Sequence, residues 1–215
     1  MRFADVTLPT PEENLAYDQR LLELAESGVE GEVLRVWEPR SHFVVLGYSR
    51  NPAEDVDQAA CARLRMPILR RCSGGGTIVQ GPGVLNFSLI LDLHRRPACR
   101  TIRSATAYVL ERHRQTLEAL LGRPISIQGI SDLTVDSQKF SGNAQRRLRR
   151  FTLIHGTFLI NLDLDLMDTV LRIPADQPSY RHGRIHREFL INLHEDTRRI
   201  KDALRRAWDA TIGLS

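Results

Sequence analysis

Apolar positions recur at helical spacing from Leu15 through Leu22 to Ala25, directly after Thr10-Pro11-Glu12-Glu13. That tetrad has the spacing of a capping box with proline at the first helical position, and Gly28 supplies a stop. A packing helix is predicted there. The period then shortens. Residues 32–38 and 42–48 predict two strands joined through Pro39-Arg40-Ser41. Asp55 is read as the cap of a short helix through Cys61 to Leu64, and Pro67 opens another strand. Runs 77–80 and 84–91 predict strands around Gly81-Pro82-Gly83. Thr101 to Leu121 returns to helical spacing (Ile102, Ala105, Val109, Leu117, Leu120, Leu121) and ends at Gly122-Arg123-Pro124. Residues 125–161 alternate as strands do, 163–172 predict a helix with an acidic first turn, and 195–211 predict a last amphipathic helix. A loop with Pro174, Pro178 and Gly183 separates those two helices. No internal repeat, low-complexity tract or linker interrupts the chain, so one α+β domain over residues 1–215 is the economical reading.

Composition narrows the picture. With 215 residues, 42% hydrophobic and 26% charged, the chain is long enough to bury a sizeable core and ordinary for a globular protein. No apolar stretch approaches a membrane span and residues 1–20 hold no signal-peptide core, so a cytoplasmic protein without a membrane partner is expected. Three cysteines (Cys61, Cys72, Cys99) argue against a disulfide framework, and neither CxxC nor HExxH is present to suggest zinc. Of 30 basic residues only Lys139 and Lys201 are lysines. A bias toward arginine codons explains the imbalance, yet a surviving lysine draws notice, because arginine cannot supply a compact ammonium.

Candidate chemistry centres on residues 68–92. There Arg70 and Arg71 precede Cys72, Ser73 and three consecutive glycines, Gly74, Gly75 and Gly76. Glycine lets backbone approach a ligand closely, and bared N–H groups beside arginines suit phosphate or carboxylate oxygens. Three glycines exceed what a tight hairpin needs. Downstream, Lys139 lies among small residues (Ser141, Gly142, Ala144) and needs an acceptor, either Asp132 or a bound anion. His155 precedes Gly156 in a strand and is read first as a satisfied core histidine able to bond the lysine loop. Two arginine clusters, 146–150 and 181–187, fit a solvated face, an acidic partner or a nucleotide phosphate better than nucleic acid, since no aromatic or recognition motif accompanies them. His182 and His186 stand four apart without a carboxylate motif, which disfavours a metal site.

Four blocks together resemble the lipoate–protein ligase A family of the biotin and lipoate ligase superfamily. They are Glu13-Asn14-Leu15-Ala16; Arg70-Arg71-Cys72-Ser73-Gly74-Gly75-Gly76 with Leu85-Asn86-Phe87; Asp132 with Lys139-Phe140-Ser141-Gly142-Asn143-Ala144; and His155-Gly156-Thr157. The resemblance implies an α/β core like that of class II synthetases, with helices packed on a mixed sheet. It implies ATP, Mg²⁺ and lipoate: lipoyl-adenylate forms, and a lysine on a carrier, either glycine cleavage H protein-like or 2-oxoacid dehydrogenase E2-like, takes the lipoyl group. By the same resemblance Lys139 is catalytic. Arg71, Ser73, Gly74, Gly75, Gly76, Thr77, Ile78, Val79, Asn86, Asp132, Ser141, Gly142, Ala144, His155, Gly156 and Thr157 would line the nucleotide and acyl-adenylate site. The metal's ligands are not assigned. Gln80-Gly81 stand where the family has His-Asp, Ser131 where it has Asn, and Ser137-Gln138 where it has Gly-Arg. The chain stops where many such ligases continue into an accessory domain, so either that domain is a separate polypeptide or the chain does part of the reaction. Rival readings are an ATP-independent octanoyl- or lipoyltransferase working through a cysteine, a biotin ligase, and a non-catalytic carrier-binding module. No cysteine follows Cys99, and such transferases place theirs beyond the lysine block, which counts against the first.

Overall fold

The computed structural model describes residues 1–212. Strand β1 (Arg2–Asp5) leads to α1 (Pro11–Glu26), which opens on the expected capping box. Thr10 Oγ1 accepts the Glu13 backbone N–H, and the Glu13 carboxylate accepts that of Thr10. Strands β2 (Val33–Trp37) and β3 (Phe43–Leu46) flank Pro39 but enter different sheets, so they form no hairpin. Two short helices, α2 (Pro52–Asp55) and α3 (Gln58–Arg63), replace the single one expected. Asn51 and Asp57 cap them; Asp55 caps nothing, because Arg50 and Thr77 occupy its carboxylate.

Strands β4 (Ile68–Arg70), β5 (Ile78–Gln80) and β6 (Val84–Asp92) surround the glycine loop, and α4 (Ile102–Leu121) follows. It starts at a Thr101 cap and stops at Gly122, whose left-handed φ of 65° suits glycine. Next come β7 (Ser126–Gln128), β8 (Asp132–Val135), β9 (Gln138–Arg147), β10 (Phe151–Leu159), α5 (Leu164–Val170), α6 (His186–Phe189) and α7 (Thr197–Ala207). The last helix ends at Ala207 rather than 211, and β11 (Thr211–Ile212) then pairs parallel with β1.

Eight strands make a mixed sheet in the order β11-β1-β2-β6-β10-β9-β8-β7, and β4-β3-β5 make a second, smaller one. Every residue of β6 is buried, because both faces of the large sheet are covered. Its odd-numbered residues, Leu85, Phe87, Leu89 and Leu91, join the core that α4 and α7 close. Its even-numbered residues face the other way, where Ile90 packs with Leu21, Leu22 and Ala25 of α1. The smaller sheet shares its core with α3, α5 and α6.

Candidate active site

Between the two sheets lies a cavity of about 690 Å³. Leu15, Trp37, Val45 and Ile78 give it one apolar wall; Val79, Met167, Leu171, Phe189 and Leu190 give another. Residues 171–181 and α6 close it over.

The glycine loop forms one rim and is folded by its own arginines. Arg70 Nη1 donates to the carbonyls of Gly47, Tyr48 and Arg50 at 2.8–2.9 Å. Arg71 is 8% exposed. Its Nη2 donates to the Gly74 and Gly76 carbonyls at 2.7 and 2.8 Å, and its Nε to Ser73 Oγ at 3.1 Å. Burial holds its guanidinium down to about 10, still charged at neutral pH. Arg71 therefore shapes the loop, with only Nη1 unpartnered among its nitrogens. Gly75 has φ +88°, and a Cβ there would press on Arg71 Nη2 at 2.9 Å. Ser73 Oγ also meets His155 Nε2 at 2.6 Å. Ser73 and Gly74, in the same loop, are not among the residues that line the cavity. The remaining residues singled out by resemblance, from Arg71 and Gly75 through Thr157, all line the cavity.

In the same cavity, Lys139 Nζ lies 2.8 Å from Asp132 Oδ1, with a quarter of its side chain exposed. Asp132 Oδ2 accepts the Tyr180 hydroxyl at 2.7 Å. Burial and then the Asp132 charge push that phenol above its ordinary value. A β-bulge aims the lysine. Leu133 pairs with Ser141 and Thr134 with Lys139, which leaves Phe140 as an extra residue on β9. The extra residue flips the alternation, so Lys139 shares a face with Gly142 and Asp132, themselves paired. A Cβ on Gly142 would sit 2.9 Å from the lysine Cε and Nζ. Gly156 serves similarly as a space, since a Cβ there would strike Asn143 and Phe87.

Several pairings in the cavity escaped the sequence reading, even where it singles out one partner, such as Asn86 or His155. Asp18 on α1 pairs with the wholly buried Arg35 at 2.6 Å, and Arg35 also bonds Asn14 and the Val6 carbonyl. Burial would raise Asp18, but neighbouring His155 and Arg35 hold it below its usual value. His155 Nδ1 lies 3.9 Å from Asp18, so the histidine bridges this buried pair and the loop serine. Gln80 and Asn86 exchange reciprocal amide hydrogen bonds at 2.8 and 3.0 Å inside the cavity. Arg50 grips Asp55 and reaches Asp176 at 3.1 Å. None of these pairings carries a local pattern; each becomes visible only once burial demands a partner. Cys72 packs half-buried against α1, and burial followed by Asp18 pushes its thiol up.

Among the described residues no group of three or more potential ligands could hold a metal. The cavity carboxylates Asp18, Asp55, Asp132 and Asp176 each have a cationic partner. Among the described residues, the cavity carboxylates are therefore engaged by cations rather than gathered into a metal cage. His182 turns outward at φ +52°, away from any shared site with His186.

A family model of the lipoyl protein ligase A/B catalytic domain matches residues 10–204. Lipoate–protein ligase 1 of Staphylococcus aureus is 30% identical over 152 residues, 71% of this chain and 44% of that protein. The chain thus spans less than half of that relative's length. Octanoyltransferase LipM of Carboxydothermus hydrogenoformans is 25% identical over 203 residues, 87% of this chain and 75% of that one. Among solved structures, a bipartite lipoate–protein ligase from Thermoplasma acidophilum, described with its E2 lipoyl domain, superposes with TM-score 0.81 at 22% identity, covering 100% of this chain and 86% of that one. A lipoate–protein ligase A bound with ATP gives 0.79 at 22% identity, covering 100% and 87%. Among the described residues no helix is long and apolar enough to cross a membrane.

Proposed function

Because the chain belongs to the lipoyl protein ligase A/B catalytic-domain family, we propose that it activates lipoate with ATP and passes the lipoyl group to a lysine of a lipoyl carrier domain. The observation that carries this reading is that Lys139 and the loop residues Gly75 to Thr77 line one largely apolar cavity. In the first step the lipoate carboxylate attacks the α-phosphorus of ATP, and pyrophosphate leaves. The backbone from Gly76 through Val79 would face the phosphates, where N–H groups and the adjacent Arg71 favour negative charge. In the second step negative charge grows on the acyl oxygen as an amine attacks. A fixed ammonium stabilises that charge more than it does the neutral carbonyl, and Lys139 would supply it. The wall of Leu15, Trp37, Val45 and Ile78 suits the lipoyl arm, at about 0.8 kcal/mol per buried methylene. Mg²⁺ would arrive on the nucleotide rather than in a protein cage.

The transferase reading keeps the family but needs a cysteine to carry the acyl group. Cys61 and Cys99 are buried, and the thiol of Cys72 is pushed toward its protonated form outside the cavity lining, so none is a ready thiolate. That favours the ATP route.

The test is incubation with ATP, Mg²⁺ and a panel of short acids, with mass spectrometry for acyl-AMP, then addition of a glycine cleavage H protein-like or E2-like carrier. Acyl-AMP formed only when a small accessory chain is added would identify a split ligase. Lys139→Ala should lower transfer by roughly 100-fold or more while the unfolding curve keeps its shape. A folded Lys139→Ala variant of full activity refutes the role.

A further inference from the structure

His186 enters the cavity from the roof, and neither the glycine loop nor the lysine block accounts for it. It opens α6 and is 7% exposed, yet it lines the cavity. Asp168 on α5 fixes its ring: Oδ1 accepts the His186 backbone N–H at 2.8 Å and meets Nδ1 at 2.9 Å, and Oδ2 accepts the Arg187 N–H at 3.3 Å. Burial would raise Asp168, but these amide bonds hold it below its ordinary value, so it stays ionised. An ionised carboxylate on Nδ1 keeps the ring proton there and leaves the lone pair on Nε2. Among the described residues no protein group bonds Nε2, and it is not one of the atoms sealed from contact. The same arrangement, a histidine oriented by a carboxylate with its far nitrogen free, recurs wherever a side chain takes protons from a nucleophile.

His186 is also tied to the lysine that holds the acyl group. Leu190, just past α6, bridges Lys139, and the Ile191 N–H donates to the Lys139 carbonyl at 3.0 Å. The charged groups around the imidazole are Arg181 on the roof, Asp168 and Asp165 on α5, Lys139 on β9, and Arg187 and Glu188 on its own helix. Burial first, then Arg181, with Lys139 adding, outweigh Asp168 and hold the imidazole below its usual pKa. It is neutral at physiological pH and free to accept.

The geometry points to His186 as general base of the transfer step, its Nε2 taking the proton that the acceptor amine releases as it attacks the acyl carbonyl. This rests on the acyl-transfer reading above. The carrier's lysine loses one proton to solvent on entering. Its lone pair forms the C–N bond, the excess N–H proton passes to Nε2, and the acyl C–O bond breaks with its electron pair on the phosphate of departing AMP. His186 then returns its proton to water.

Chemically prepared lipoyl-AMP isolates this step from ATP use. Single-turnover transfer to a lipoyl carrier domain is followed across the neutral pH range. The wild-type chain should lose rate as pH falls through an ionisation below that of a free histidine. His186→Gln should be roughly 100-fold slower and lack that limb. With hydroxylamine, whose nitrogen is a far stronger acid than an alkylammonium once it has attacked and so gives its excess proton to water unaided, the variant should lose far less. Asp168→Asn, which keeps the base but unfixes its tautomer, should show a partial loss. An unchanged rate and pH profile in His186→Gln overturns the proposal, and so does an equal loss with both amines, since that marks a structural defect. If the wild type makes no acyl-AMP from ATP, the ligase reading fails, while supplied adenylate still decides His186.

Discussion

His113 sits wholly inside the aromatic core, edge-on to Phe87 and Trp208, with its Nε2 accepting the Trp208 indole N–H at 2.9 Å. Burial, with Arg112 adding, holds its pKa down to about 3, against 6.5 when unfolded. A histidine depressed in this way lends stability that is full above its unfolded pKa and drains away as pH falls toward the folded one. At pH 5 the chain should be less stable than at pH 7 by about 2 kcal/mol from this residue, and His113→Leu should flatten that limb in urea unfolding. Legibility at this scale followed chemistry that only one residue type can supply. Lys139 and the triple glycine were visible because no other side chain gives a compact ammonium or bared backbone. Asp18 and Arg35 were not, and His186 was weighed only as a metal ligand, since a charged residue in the sequence looks the same whether solvated or buried beside a partner.

The elements divide in the same manner. The box at Thr10 and the stop at Gly122 depend on bonds within a few residues, and both helices were read within a residue of their ends. Strands β2 and β3, and likewise β5 and β6, were found as strands but look like hairpins until a sheet assigns their partners. The bulge at Phe140 decides most. Strict alternation would set Lys139 on the face opposite Gly142; the extra residue turns the ammonium onto Asp132. Gly142→Ala should therefore push the ammonium aside. Transfer should drop roughly 10- to 100-fold while the free energy of unfolding changes by less than about 1 kcal/mol, read by parallel kinetics and urea unfolding.

Across the whole molecule the roof over the cavity is fastened at a few polar points. Tyr180 bonds Asp132, Arg50 bonds Asp176, and Arg184 bonds the Ser137 carbonyl at 3.0 Å. Tyr180→Phe removes the fastening that also holds Asp132. Hydrogen exchange in residues 174–184 should speed up about fivefold or more, while β6 and β10 exchange as before, because local opening there does not require the core to open. Unchanged exchange would mean that Arg50 and Arg184 hold the roof alone. The sequence by itself determined the long helices α1 and α4 and most strands of the core, and singled out residues suited to phosphate and acyl chemistry, because those depend on short-range patterns and irreplaceable side chains. Only the tertiary structure decided that Arg71 shapes the loop, that Asp18 and His155 lie behind it, and that His186 meets Asp168 above Lys139. The Asp18–His155 and Asp168–His186 contacts join separate segments of the chain. The Arg71 bonds are local but are forced only once its guanidinium is buried; burial fixes which charged groups must find each other.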